Sequence, residues 1–157
     1  MTFADSALTR GRRSRSRRTL AVRTGLVVLA ATSLVTGAWA FFAPRAFYDH
    51  FPGGGRQWVS LLPPFNEHLT TDVGGFYLAF GVLFACAAVT LARALLVPLL
   101  SAYLLASVLH VGFHVTHLGG YSTLDKVGQT LGFVVLIVLA LALLVTAAGR
   151  DGLGRRR

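Results

Sequence analysis

The sequence predicts an all-α polytopic membrane protein, a four-helix antiparallel transmembrane bundle. Three observations lead there. The chain of 157 residues is 54% hydrophobic and only 13% charged, with a mean hydropathy of +0.64, too apolar for a soluble domain of this length. Four stretches, 24–43, 73–92, 94–118 and 127–148, each run for at least twenty residues without Asp, Glu, Lys or Arg. At 1.5 Å per residue, about twenty residues cross ~30 Å of hydrocarbon, and only helices satisfy their own backbone there. The third observation is the placement of charge: of fifteen basic residues, seven precede Gly25 and four follow Gly149.

Residues 1–23 form an Arg-rich tail, RGRRSRSRR at its centre. A pI near 11.3 invites nucleic acid as a partner, but the basic run abuts an apolar segment with no folded basic domain behind it. Nucleic acid is therefore set aside in favour of anionic lipid head groups of the bilayer, each Arg near such a surface adding roughly 1 kcal/mol. Arg17-Arg18, the apolar stretch after Gly25 and Ala38-Trp39-Ala40 also resemble a cleavable secretory signal. The full spanning length to Ala43 and the interfacial anchor Trp39 favour a retained first helix.

The segment 44–72 carries Phe47, Tyr48, Phe51, Trp58 and Phe65 among Pro52-Gly53-Gly54-Gly55 and Pro63-Pro64. So aromatic and turn-rich a loop lies along the membrane interface or folds over the bundle mouth. Asp72 and Thr71 are candidate caps of the second helix. Only Arg93 separates the second span from the third, a tight hairpin with Pro98 suited to the first helical turn. Ser122 and Asp125 fit a capping box at the start of the fourth helix, and Lys126 suits the interface. Gly128 and Gly132, and Gly74, Gly75 and Gly81, are small-residue cues for close helix packing. Cys86 is the only cysteine, which excludes an internal disulfide and a Cys-based metal site. The basic tail 149–157 closes the chain. By the positive-inside rule both termini are cytoplasmic, and the loops 44–72 and 119–126 face outward.

On the third helix His110, His114 and His117 stand at spacings of four and three, within an arc of about 60°. Tyr103 and Ser107 extend the stripe, so this face is expected to look inward at something other than lipid. The predicted topology gathers Glu67, His68, Asp72, Asp125 and Gln129 with it into the outer half. Three readings stay open. In the first, His110, His114, His117, His68, Glu67 and Asp72 supply ligands for a transition metal ion, or an axial histidine for haem, with Tyr103, Ser107, Asp125 and Gln129 as supporting groups. In the second, the histidines are hydrogen-bonded structural groups of a protein that binds a membrane-protein partner or a copy of itself. The third is a proton or ion pathway. No nucleophile–base pair or phosphate-binding glycine loop is present, Gly53-Gly54-Gly55 lacking the Lys-Ser/Thr of a P-loop, so no enzymatic activity is supported.

NEHLTTDVGGFYLAF (66–80) and YLLASVLHVGFHVTHL (103–118), followed by a terminal apolar helix, resemble small integral membrane proteins of high-GC bacteria that have no assigned activity. More loosely, the layout is similar to the DoxX-like group. The resemblance covers roughly 41–145 and implies a four-helix bundle in a bacterial plasma (inner) membrane. It implies no catalytic residue.

Overall fold

The computed structural model describes residues 3–62 and 64–149, with side chains from Ser14 onward. The basic tail expected from residue 149 lies outside the described residues beyond Gly149, as do the side chains of Arg10, Arg12 and Arg13. The described residues are all-helical: α1 (Phe3–Phe42), α2 (Pro44–His50), α3 (Glu67–Thr90), α4 (Arg93–Thr116) and α5 (Thr123–Ala148). Four of these contain segments long and apolar enough to cross a membrane: Ser14–Phe42, Glu67–Thr90, Arg93–Thr116 and Thr123–Ala148.

Local chemistry moves several boundaries from their expected places. The backbone of the Arg-rich tail continues α1 without a break, so the span is the distal part of one long helix. α3 starts well before residue 73 because Asn66, not Asp72 or Thr71, is its cap: the Asn66 side chain accepts the Leu69 N–H at 3.0 Å, satisfying one of the donors a helix start leaves open. α3 ends on Leu91 in the left-handed region (φ 51), a costly conformation for leucine that lets α4 begin at Arg93. Pro98 consequently sits inside α4, beyond the first turn where it was expected. Ser122 caps α5 as the capping box predicted, accepting the Asp125 N–H at 3.2 Å.

α1 and α3 pack closely through glycines. A Cβ on Gly74 would stand 2.5 Å from the backbone nitrogen of Phe41, one on Gly37 2.7 Å from that of Leu78, and one on Gly81 2.6 Å from the Leu34 side chain. Contacts run in opposite order along the two helices, Phe41 meeting Gly74, Leu34 meeting Gly81, and Arg23 meeting Ala88. α4 and α5 do the same through His114 with Gln129 and Arg93 with Ala148. Of the expected small-residue pair in α5, Gly128 faces Trp58 and Gly132 faces open space.

The two helix pairs share a buried cluster at one end only. It comprises Val22 to Ala30 of α1, Phe84 to Ala88 of α3, Leu96 to Tyr103 of α4 and Ala140 to Ala147 of α5. Three guanidinium groups close this end. Arg23 donates to the carbonyls of Ala88 (2.9 Å) and Val89 (3.5 Å), Arg18 to Thr146 (3.2 Å) and Arg93 to Ala148 (3.5 Å). The last carbonyls of a helix have no partner within it and carry its negative dipole end, so these arginines cap α3 and α5.

At the opposite end the segment after α1 folds back. Trp39, Phe47 and Phe51 pack ring against ring, with Trp58 next in the series at 6.2 Å from Phe51. Gly53, Gly54 and Gly55 all take positive φ (100°, 64° and 76°), a turn that suits glycine, and the Trp58 N–H closes it on the Phe51 carbonyl at 2.8 Å. This loop reaches the start of α5 through Trp58, which donates to Asp125 at 2.8 Å.

Candidate functional site

The histidine seam of α4 begins in the shared core and ends in the open. Tyr103 is 7% exposed, its ring edge-on to Phe84 at 5.1 Å and to Phe80 at 5.8 Å. Ser107 and His114 are half-buried, and His110 and His117 are exposed. The expectation that the whole stripe faces inward is thus corrected. The angular arithmetic holds, but α3 meets α4 near Tyr103, while further along α4 is covered by α5 alone and only from one side.

His114 is the member that finds a partner across helices. Its Nδ1–H donates to Oε1 of Gln129 on α5 at 3.1 Å. Gln129 is only 2% exposed, and its Nε2 is buried without a hydrogen-bond partner among the described residues. His110 lies edge-on to His114 at 4.6 Å and to Phe133 at 5.2 Å. These are ring contacts only, and its nitrogens make no hydrogen bond among the described residues. His117 is the C-cap of α4. Its ring stacks on Phe113 at 4.0 Å, and Nδ1–H donates to the Phe113 carbonyl at 2.8 Å, so one of its nitrogens serves the helix end.

Glu67, His68 and Asp72 occupy the first turns of α3. His68 Nε2 stands 3.5 Å from Asp72 Oδ2 on an exposed face. They are not gathered with His110, His114 and His117: among the described residues no group of three or more His, Cys, Asp or Glu is placed to hold a metal ion. The physical reason is that α3 pairs with α1 at this end, held there by Gly74 and Gly37. An axial histidine pair for haem is not built at this seam either, since the group facing His114 from α5 is an amide. Asp125 does not support a histidine. It accepts from Arg56, from Trp58 Nε1 at 2.8 Å and from Ser122 Oγ at 2.6 Å.

Asp125 belongs instead to a strap that sequence reasoning missed. Arg56 and Trp58 hold the carboxylate, the Tyr121 hydroxyl donates to the Trp58 carbonyl, and a Cβ on Gly128 would stand 3.2 Å from the Trp58 ring. Tyr121 is 5% exposed, and burial pushes its phenol above the ordinary range. The available signal was an aromatic loop carrying Arg56, in a chain whose last helix has Asp125 in its first turn. No protein-family model, curated protein or solved structure matches the chain. What the geometry offers is hydrogen bonding: a paired imidazole and amide inside, and an unpaired imidazole outside.

Proposed function

We propose that this is a multi-pass protein of a bacterial plasma (inner) membrane, an antiparallel four-helix bundle with both termini cytoplasmic. In this reading the His110 face of α4 is a contact surface for another membrane-spanning helix, and the histidines act as hydrogen-bonding groups. The opposite order of contacts along α1–α3 and α4–α5 supports the bundle. The arginines at both chain ends support the orientation. The packing of Leu26, Leu29 and Ala40, all fully buried, supports a retained first helix.

The observation that carries the reading is His110. It is exposed on a spanning helix with no hydrogen bond among the described residues, six residues and about 9 Å of helix rise from the end of α4 at Thr116. Imidazole is too short to reach water from that depth, and a polar group facing hydrocarbon is costly until another helix supplies a partner. A photo-crosslinking residue placed at position 110 in native membranes tests this: trapping of a polypeptide is expected, and adducts with lipid alone would overturn it. Protein purified without chelators is expected to show neither stoichiometric metal nor a Soret band. Either signal, lost in His114→Ala, would restore the metal or haem reading.

A further inference from the structure

We infer that the arginine end of α1 carries a localised binding site for the phosphodiester of one anionic phospholipid, held between Arg15 and Arg23. The site is a groove of about 470 Å³ lined by Arg15, Ser16, Thr19, Leu20 and Arg23. Arg15, Thr19 and Arg23 stand at i, i+4 and i+8, one ridge of the helix, with the Ser16 hydroxyl beside them. Every polar member of this set can donate to a phosphate oxygen. Arg23 uses Nε and Nη2 on the carbonyls of Ala88 and Val89, which fixes its guanidinium at the deeper end of the groove and leaves Nη1 for a further acceptor. Arg15 is exposed at the other end.

Depth and charge say what fills the groove. Arg23 reaches the last carbonyls of α3 and so marks the edge of the hydrocarbon, and Arg15 stands about 12 Å of helix rise beyond it. The headgroup layer adds about 5 to 8 Å to each face of the hydrocarbon core, so the groove opens where lipid phosphates lie, whichever side of the membrane this end faces. Among the described residues no carboxylate competes for it. Asp49, Glu67, Asp72 and Asp125 all belong to the opposite end, and the ion pairs formed there are Arg45 with Asp49, Arg56 with Asp125 and His68 with Asp72. Guanidinium groups without a carboxylate draw another anion, and their planar fork matches phosphate. The same lack of carboxylates leaves nothing to receive the ammonium of a choline head group, so the lipid favoured carries net negative charge. Leu20, 65% exposed, offers apolar surface to the lipid's first acyl carbons, which inorganic phosphate cannot use. The inference is independent of the contact surface at His110.

Native mass spectrometry of the full chain tests it, in detergent micelles holding equal amounts of phosphatidylglycerol and phosphatidylcholine. One phosphatidylglycerol is expected to be retained about tenfold over phosphatidylcholine. Arg15→Gln is expected to weaken that retention about tenfold and Thr19→Val about threefold. Arg17→Gln removes the same charge roughly 200° round the helix from position 15, outside the groove, and is expected to change retention less than about twofold. Equal losses from Arg15→Gln and Arg17→Gln show a diffuse attraction to the basic helix and overturn the site, as does equal retention of the two lipids. Millimolar inorganic phosphate is expected to leave phosphatidylglycerol bound, and displacement by it overturns the lipid as occupant. Unfolding midpoints in lipid-free detergent accompany each variant. Should Arg15→Gln fold poorly, the comparison with Arg17→Gln passes to Thr19→Val, and a Thr19→Val chain that retains lipid no worse than Arg17→Gln overturns the inference.

Discussion

The arginine end and the histidine end of this bundle are held by different means. At the arginine end all four long helices contribute to one buried cluster, and guanidinium groups from α1 and α4 close the carbonyls of α3 and α5. At the histidine end α1 stays on α3 through glycines, α4 meets α5 through one imidazole–amide bond, and the loop ties onto α5 through Asp125. The contrast teaches what matters in lipid. An apolar side chain gains little by exchanging lipid for protein, so close fit and satisfied polar groups decide where helices stay together. Many apolar side chains of the spans are accordingly exposed, Phe76, Leu105, Leu109 and Val138 among them.

Substitutions that break the comparison have graded effects. The largest is expected from Gly74→Leu, because its side chain has to enter the backbone of α1 at Phe41. A loss of about 3 kcal/mol is expected, read as a lowered unfolding midpoint in mild detergent, while Gly132→Ala, which meets nothing within 4 Å, leaves the midpoint unchanged. Phe84→Ala removes a fully buried ring that touches Phe80 and Tyr103. It is expected to cost about 2 to 3 kcal/mol through the cavity it leaves.

At the histidine end the numbers fall. His114→Ala is expected to cost about 1 kcal/mol, the usual scale of one interhelical bond in a membrane protein. Gln129→Leu is expected to cost less, since it also removes a buried Nε2 that makes no hydrogen bond among the described residues. Should Gln129→Leu prove the more damaging, the unpaired Nε2 has a partner in the membrane and the account of this end needs revision. The smallest and most local change belongs to Asp125→Asn. In a Trp39→Phe background, Trp58 emission is expected to shift to the red and the 51–62 segment to be cleaved faster by protease, with the global midpoint unmoved. A midpoint that falls with Asp125→Asn would show the strap to be part of the bundle's stability.

Much of this architecture was legible because membrane spans announce themselves by length alone. The last residues of the four apolar runs lie close to the C-terminal ends of four helices, whereas α1 and α3 start well before their runs, and Ser122 with Asp125 marked the start of α5. Covering relationships were harder to read. Helical periodicity says that His110 and His114 share a face, yet which neighbour covers that face depends on α3 being drawn to α1 by Gly37 and Gly74, two glycines on different helices. Gly37 went unnoticed because a lone glycine in an apolar run has no pattern until its partner is known. Arg18, Arg23 and Arg93 were counted as charge, while their use as caps depends on carbonyls far away in the chain. Asn66 was legible in principle, since an Asn ahead of an acidic first turn is a common cap.

The reach of Arg18 to the Thr146 carbonyl spans 128 residues of sequence, and that fact bears on the order of events during synthesis. The bond joins the first long helix to the last one made, so it forms only after the ribosome has delivered α5. Until then α1 and α3 have each other, whereas α4 lacks the helix it pairs with. A chain stopped before residue 146 lacks this closure.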